Sequence, residues 1–179
     1  MVTGLLLAAG AGSRMGIPKA LVPGWLPNAV DVLLDGGCVR VVVVLGARAE
    51  EARSVVPSHA AVVVAADWRK GMSRTLSAGL VALEVGDALA AVVHLVDLPD
   101  VTAEVVRRVL AGGVRADSLA RATYDGRPGH PVLLGRGHWP AVIAEVEGDR
   151  GARDYLAAHD VAAVECGDLA TGRDVDGDR

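Results

Sequence analysis

The sequence contains no phenylalanine, and aromatic residues make up only 3% of its 179 residues. The core of such a chain must consist mainly of Val, Leu and Ala, and few aromatic side chains remain for stacking on nucleic-acid bases. The formal net charge of −4 argues against nucleic-acid binding by phosphate neutralisation. Apolar residues nevertheless make up 51% of the chain and charged residues 22%, which is the composition of a folded globular protein.

Cysteines and long apolar runs are also scarce. Cys38 and Cys166 stand alone, without a C-x-x-C pair or a Cys/His cluster, so we expect no structural zinc site. Two isolated cysteines are typical of a reduced, cytoplasmic protein, and we expect one here. No run reaches the roughly 18 consecutive apolar residues of a membrane span. We therefore expect a single domain over residues 1–179, with neither a membrane nor a nucleic acid as partner.

Near-continuous apolar runs alternate with amphipathic stretches of helical period in the first two thirds of the chain. Continuous runs are typical of strands that are covered on both faces of a parallel sheet. The predicted strands are Val2–Ala9, Arg40–Gly46, Ala61–Ala66 and Leu89–Val96, and the predicted helices are Asn28–Asp35, Arg48–Val56, Ser73–Glu84 with Ser73 as N-cap, and Thr102–Leu110. This order predicts an α/β fold, a Rossmann-like three-layer α/β/α arrangement around a mostly parallel sheet.

The last third of the chain departs from this alternation. The predicted elements are two strands, two short helices and a last strand, at Ser118–Tyr124, Val132–Leu134, Trp139–Glu147, Ala152–His159 and Val161–Glu165. The first two strands flank a loop rich in Gly and Pro, 125–131, and predict a small antiparallel excursion. Residues 168–179 are polar, and we expect this tail to be loose unless something binds it.

The first strand runs into a glycine-rich segment that ends in a lysine. Residues 7–19 read Leu-Ala-Ala-Gly-Ala-Gly-Ser-Arg-Met-Gly-Ile-Pro-Lys. Glycines let a backbone approach a phosphate, successive N–H groups form an anion nest, and Arg14 and Lys19 add positive charge. The spacing G-x-G-x-x-x-G matches neither the dinucleotide fingerprint nor the Walker A motif. A tight strand-to-helix turn with incidental basic residues is the alternative interpretation.

A second candidate follows the fourth apolar run, in Asp97-Leu98-Pro99-Asp100. Ligands of open α/β sheets bind at the carboxyl ends of strands. A carboxylate there suits Mg²⁺, which prefers one or two carboxylates together with phosphate oxygens. The alternative is that these aspartates only cap the helix beginning near Thr102, an interpretation that fits Asp100 well and Asp97 less well.

Two further segments, 125–131 and 148–153, combine Gly and Pro with arginines and a histidine. Turn chemistry explains the Gly and Pro residues but not the grouped basic side chains. A lobe for an anionic substrate and an ordinary surface hairpin followed by a helix start explain the pattern equally well. In the tail, Asp174 and Asp176 would matter only if the chain folds back beside Asp97.

These features, in this order, resemble the MobA-like nucleotidyltransferase family over nearly the whole chain. The glycine segment matches the family's L-A-A-G-x-x-x-R-M-G-x-x-K signature, and Val96-Asp97-Leu98-Pro99 matches its D-x-P metal motif. Gly129-His130-Pro131-Val132 and Gly148-Asp149-Arg150-Gly151-Ala152-Arg153 resemble a narrower branch. That branch holds molybdenum cofactor cytidylyltransferases and actinobacterial proteins labelled nicotine blue oxidoreductase.

The resemblance implies that an NTP and a phosphorylated acceptor such as molybdopterin form a nucleotidyl-acceptor and pyrophosphate, with Mg²⁺ as cofactor. A molybdenum enzyme awaiting the cofactor is the implied protein partner. Ala9 stands where guanylyltransferase relatives more often carry Gly, which favours CTP. The resemblance assigns catalytic roles to Arg14, Lys19 and Asp97.

The remaining site residues are likewise implied by the resemblance. The nucleotide would contact Leu7, Ala8, Ala9, Gly10, Ala11, Gly12, Ser13, Arg14, Lys19, Asp67, Gly71 and Ser73. The acceptor would contact Gly129, His130, Pro131, Asp149, Arg150 and Arg153. The metal would be held by Asp97 with Asp176 or Asp174 as the second carboxylate.

Two departures from the family pattern bear on turnover. Segment 19–27 is compressed, which predicts either a displaced Lys19 or a more open nucleotide pocket. The tail lacks the Thr-Pro-Glu-Asp-Leu that follows the aspartates in relatives, so it is not expected to dock. Two other hypotheses stay open: an NADPH-dependent reductase of the nicotine blue oxidoreductase type, for which Arg48 would favour a 2′-phosphate, and a nucleotide-binding relative without turnover.

Overall fold

A computed structural model describes residues 1–145 and 147–175, which contain a seven-stranded sheet. Its strands are β1 Val2–Ala8, β2 Arg40–Leu45, β3 Ala61–Val64, β4 Ala90–Leu95, β5 Leu119–Tyr124, β6 Arg127–Gly135 and β7 Ala162–Glu165, in the order β3-β2-β1-β4-β6-β5-β7. The first four strands pair in parallel, whereas β6 is antiparallel to both β4 and β5. The predicted Rossmann-like α/β fold with an antiparallel excursion is confirmed.

Helices cover both faces of the sheet. They are α1 Trp25–Asp35, α2 Ala49–Arg53, α3 Met72–Glu84, α4 Ala103–Leu110, α5 Trp139–Glu145 and α6 Arg153–Ala157. One core lies under α1, α2 and α4, and the other under α3, α5 and α6. The central strands β1, β2 and β4 are buried on both faces, which explains their continuous apolar runs. None of the described helices has the length and apolarity that crossing a membrane requires.

Two helix starts differ from the prediction. α3 begins at Met72 with Gly71 at the N-cap, and the Ser73 hydroxyl donates instead to the carbonyl oxygen of Gly151 at 3.4 Å. α1 begins at Trp25 rather than Asn28, since Pro27 fits within its first turn. A proline is tolerated there because the N–H groups of a first helical turn have no intrahelical acceptor.

The β5–β6 hairpin is tighter than predicted. Its turn consists of Asp125 and Gly126, both with positive φ (51° and 74°), and β6 already begins at Arg127. Asp-Gly favours a two-residue turn of this kind because both residues tolerate positive φ, and such a turn matches the right-handed twist of the flanking strands. The expected loop therefore becomes a strand, which places Gly129 and His130 beside β5.

Glu165, the last residue of β7, holds this turn in place. Its carboxylate accepts hydrogen bonds from the backbone N–H groups of Asp125, Gly126 and Gly167 at 3.0, 3.1 and 2.9 Å, and from the Thr123 hydroxyl at 2.8 Å. The bond from Gly167 contributes most, and together these bonds lower the pKa of Glu165 to about 2. The charged carboxylate thus links the hairpin to the edge strand.

We expect Glu165→Gln to reduce the loss of stability in acid. The pKa of Glu165 in the folded protein lies below its ordinary value of 4.5, so its contribution is fully present above about pH 4.5 and is lost as the pH falls toward 2. Urea unfolding between pH 7 and pH 2 should show a variant that is less stable at pH 7 and loses less in acid. The control is Glu50→Gln, at an exposed position of α2, and parallel curves for wild type and Glu165→Gln would contradict the prediction.

The expectation of a loose tail is wrong for residues 168–175. Arg108 of α4 donates two hydrogen bonds to the Asp168 carboxylate, at 2.5 and 3.0 Å. The backbone N–H and the hydroxyl of Thr171 both donate to Asp100 Oδ2 at 2.6 Å. Asp100 therefore anchors the tail, and no side chain of the described residues caps α4 at Thr102.

The tail then returns to the end of β4. The backbone N–H of Val175 donates to the carbonyl oxygen of Asp97 at 3.0 Å. This contact brings Asp174 to the same cleft as Asp97. The other tail carboxylate that the sequence singled out, Asp176, lies outside the described residues.

Candidate active site

The candidate site lies at the point where the strand order reverses. β1 pairs with β2 on one side and with β4 on the other, so its carboxyl end faces the crevice between two outgoing loops. The Ala9 carbonyl accepts from Ala47 N–H at 3.0 Å, and the Leu7 carbonyl accepts from Val96 N–H at 3.3 Å. These contacts bring the glycine segment beside Asp97.

Gly12 shapes the loop after β1. It has φ 60°, and its carbonyl accepts from the N–H groups of Met15 and Gly16, both at 2.9 Å. A Cβ atom on Gly12 would lie 1.8 Å from the carbonyl oxygen of Ile17, whereas a Cβ on Gly10 would meet nothing within 4 Å. Only glycine fits at position 12, so the shape of this loop depends on a glycine there.

Lys19 and Asp97 form an ion pair at the centre of the site. Lys19 begins a short 3₁₀ helix, Lys19–Leu21, and its ammonium group contacts Asp97 Oδ2. The two side chains are only 18% and 12% exposed. The compressed segment after Lys19 therefore does not displace it from the site.

A smaller cleft of about 330 Å³ follows the glycine segment. Of the residues predicted to contact nucleotide, it is lined by Leu7, Ala8, Ala9, Gly10, Ala11, Ser13, Lys19 and Gly71. Gly12, Arg14, Asp67 and Ser73 lie outside this lining. Arg14 is exposed, Asp67 pairs with Lys70 at 3.0 Å, and Ser73 is fully buried under Gly151.

The same cleft has an aromatic wall that the site prediction did not include. Trp68 packs so closely on Gly46 that a Cβ there would lie 2.6 Å from the Trp68 ring. The Arg69 guanidinium stands 5.0 Å from the Trp68 ring centroid, and both residues line the cleft. Trp68 directly follows Asp67, which the resemblance assigns to the nucleotide, but the sequence carries no signal for Arg69.

A larger cleft of about 470 Å³ shares Lys19 and Asp97 with the smaller one. Of the residues predicted to contact the acceptor, Gly129, His130, Asp149, Arg150 and Arg153 line it. Pro131 is buried outside the lining. The cleft also contains Asp174 and, unforeseen from the sequence, Arg121 of β5.

His130, which lines this cleft, and His94 are both held neutral. Burial lowers the pKa of His130 to about 3, with His94 and Arg121 as smaller causes. Burial likewise lowers the pKa of His94 to about 4. His130 can therefore offer the cleft a hydrogen bond at neutral pH but no positive charge, and attraction of an anion depends on the neighbouring arginines and Lys19.

The carboxylates of the site suit a metal that arrives with a nucleotide. No cluster of three His, Cys, Asp or Glu side chains that could hold a metal occurs in the described part of the chain. Asp97 and Asp174 line one cleft, however, and Mg²⁺ usually takes one or two carboxylates, keeps several waters and binds substrate phosphates. The donor set fits such a cation better than a permanently caged one.

Comparison with known proteins confirms the family resemblance. The family described as MobA-like NTP transferase domain matches residues 4–163. Nicotine blue oxidoreductase of Paenarthrobacter nicotinovorans is 40% identical over 190 residues, covering 98% of this chain and 92% of that protein.

Solved structures agree with the fold. The crystal structure of Rv0371c from Mycobacterium tuberculosis is 30% identical with a TM-score of 0.80, covering 98% of this chain and 92% of that one. The Rv0371c complex with manganese is 27% identical with a TM-score of 0.74, covering 92% and 88%. The likeness thus extends over nearly the whole chain.

Proposed function

Because this chain belongs to the family of MobA-like NTP transferase domains and is a nucleotidyltransferase, we propose that it joins CTP to a phosphorylated acceptor such as molybdopterin and releases pyrophosphate. The observation that carries this proposal is that the smaller and larger clefts share Lys19 and Asp97. A transferase gains most of its rate by holding two substrates where their reacting groups meet. A molybdenum enzyme that receives the product is the protein partner that follows from this proposal.

The smaller cleft would hold the nucleotide and the larger cleft the acceptor. Backbone N–H groups of the segment from Gly10 to Ser13 would cradle the triphosphate, and Lys19, together with the exposed Arg14 that follows Ser13, would neutralise its charge. An acceptor phosphate oxygen would bond to the α-phosphorus while the α–β bridging bond breaks, and the electron pair would leave with pyrophosphate. The protein's part is positioning and charge neutralisation.

Asp97, with Asp174 or Asp176 as second carboxylate, would hold the divalent cation, for which we propose Mg²⁺. When bound, the cation neutralises phosphate charge and orients the triphosphate. The manganese complex of the Mycobacterium tuberculosis relative supports a divalent metal in this family. Lys19, whose ammonium group contacts Asp97 Oδ2, would also reach the phosphates of the nucleotide.

The preference for CTP rests on Ala9 and Trp68. Ala9 lines the smaller cleft, where its methyl group leaves less room than glycine and so favours the smaller pyrimidine base. Trp68, on the wall of the same cleft, offers an apolar ring surface against which a base can pack. Both residues act on the base and leave the triphosphate contacts unchanged.

Calorimetric titration with CTP, GTP, ATP, UTP and NADPH, each with and without Mg²⁺, tests the proposal. We expect CTP to bind most tightly and Mg²⁺ to increase its affinity at least tenfold, a gain of about 1.4 kcal/mol. With molybdopterin added, CTP should then release pyrophosphate. Affinity for NADPH alone, unaffected by metal, would overturn the transferase proposal.

A reductase is the second candidate, because a relative that is 40% identical is named nicotine blue oxidoreductase. Arg48, which would favour NADPH by contacting its 2′-phosphate, pairs instead with Glu51, its Nε lying 2.8 Å from Oε1, and it lines neither cleft. The absorbance of NADPH at 340 nm in the presence of nicotine blue distinguishes the two functions. A relative without turnover is less supported, because Lys19 lies in the site and the tail docks through Val175.

A further inference from the structure

Arg121 projects into the larger cleft from the middle of β5. It pairs in register with Val132 of β6, and both side chains line the cleft. Its neighbours Ala120 and Ala122 face the opposite side of the sheet and pack in the core under α1 and α4. The alternation of a strand thus directs a single cation of β5 toward the cleft.

The guanidinium of Arg121 has few protein partners for five N–H donors. One terminal nitrogen, Nη2, donates to the carbonyl oxygen of Gly129 at 3.4 Å, which is a long contact. Its Nε is buried and has no hydrogen-bond partner within the described ranges, 1–145 and 147–175. In those same ranges no carboxylate forms an ion pair with it.

The surroundings of Arg121 increase the need for an anion. Burial lowers the pKa of Arg121, and the nearby charge of Arg153 lowers it further, although a guanidinium stays charged at any physiological pH. Other cations of the cleft are engaged differently, since Lys19 contacts Asp97 and Arg150 lies 3.3 Å from Asp154. Burying a charge without a counterion is unfavourable, so an anion placed at Arg121 would be strongly favoured.

Besides its charged residues, which include Asp97, Asp149 and Asp174, the larger cleft has an apolar part. Its floor consists of aliphatic side chains, namely Leu7, Leu76, Val93, Leu95, Val132, Leu134 and Leu156. A ligand that fits this lining has an apolar or flat body and one anionic end. Arginine recognises a phosphate through parallel hydrogen bonds from its planar fork, which also fixes the direction of the ligand.

We propose that Arg121 is the specificity-determining residue of the larger cleft and anchors a phosphomonoester whose apolar body lies on the aliphatic floor. The name acceptor for this ligand rests on the proposed transferase function, but the binding itself does not. Arg121 selects a phosphorylated compound over its dephosphorylated counterpart. Inorganic phosphate binds more weakly because it makes no contact with the floor.

Calorimetry with phenyl phosphate, inorganic phosphate and phenol, without nucleotide, tests the site. We expect phenyl phosphate to bind wild type most tightly and Arg121→Gln to weaken that binding about tenfold to a hundredfold. Arg121→Lys should restore only part of the loss, because a lysine offers a point charge without the fork. Arg127→Gln, which removes the same charge from an exposed position of β6, is the matched control and should bind as wild type does.

Thermal unfolding separates binding from a structural role. Since Arg121→Gln removes a half-buried charge that has no counterion among the described residues, its melting temperature should equal or exceed that of wild type. A lower melting temperature with unchanged affinity for phenyl phosphate would assign Arg121 to the fold and overturn the proposal. Failure of wild type to bind phenyl phosphate at millimolar concentration would overturn it too.

The same variants distinguish this site from the proposed function. CTP with Mg²⁺ should bind Arg121→Gln as it binds wild type, because Arg121 does not line the smaller cleft. Phenyl phosphate binding that depends on Arg121, in a protein that binds no CTP, would retain the anion site and reject the transferase. If CTP binding depends on metal but phenyl phosphate binds wild type and Arg121→Gln equally well, the transferase proposal is retained and the anion site at Arg121 is rejected.

Discussion

Asp97→Asn is expected to reduce pyrophosphate release from CTP at least about a thousandfold, equivalent to about 4 kcal/mol of transition-state stabilisation. Asparagine keeps the shape of the side chain but cannot carry the charge that would hold a divalent cation between the two clefts. The increase in CTP affinity on addition of Mg²⁺ should disappear as well. Pyrophosphate release with molybdopterin and calorimetry of CTP with and without metal are the two measurements.

The matched control is Asp160→Asn, which changes an exposed aspartate after α6 and lies outside both clefts. It should release pyrophosphate at the wild-type rate. Asp97→Asn is also expected to lower the melting temperature, because it removes the carboxylate from a largely buried ion pair with Lys19, so both proteins are compared at a temperature where they are folded. Release above a tenth of the wild-type rate in Asp97→Asn would remove Asp97 from the mechanism.

Gly12→Ala is expected to weaken CTP binding at least about a hundredfold, equivalent to about 2.7 kcal/mol. The new Cβ would lie 1.8 Å from the carbonyl oxygen of Ile17, and the residue would hold φ near 60°, which alone costs about 1 kcal/mol in an L-amino acid. The loop must therefore rearrange before it can present its N–H groups. Calorimetry of CTP with Mg²⁺ measures the loss.

Two other glycines make this test specific. Gly112→Ala, in the segment after α4, adds a Cβ that meets nothing within 4 Å and should leave CTP affinity unchanged. Gly10→Ala also meets no protein atom, so any loss of affinity there reports how closely the nucleotide approaches the backbone. CTP binding by Gly12→Ala within threefold of wild type would show that the loop does not hold the triphosphate.

A reductase, as the name of the Paenarthrobacter relative suggests, and a nucleotidyltransferase require different features of the same glycine segment. A dinucleotide-binding reductase needs the G-x-G-x-x-G spacing and a group that recognises the ribose after the second strand. Here the spacing is one residue longer, and Arg48 is held by Glu51 away from both clefts. Two clefts meeting at Lys19 and Asp97 suit group transfer between two phosphorylated substrates better than hydride transfer.

The sequence predicts the alternation of buried strands and amphipathic helices because helices cover the central strands on both faces. Nearly all side chains of such a strand are apolar, so the run alone identifies the strand. The glycine segment and the aspartate after β4 could also be predicted, because a short stretch of sequence is enough to identify them. A tight turn requires glycine at a given position whatever the distant parts of the chain do, as at Gly12.

Contacts between distant segments were decided only by the tertiary structure. Arg121 gives no signal in the sequence, because a lone arginine in a predicted strand can face either solvent or a cleft, and the pairing with β6 settles which. The tail appeared loose because it is polar, yet Asp100, more than 70 residues earlier in the chain, supplies the acceptor that holds Thr171. The sequence by itself determined the fold class and located the glycine-rich loop and the aspartate that follows β4. The sharing of one ion pair by two clefts depended on where the sheet brought separate loops together.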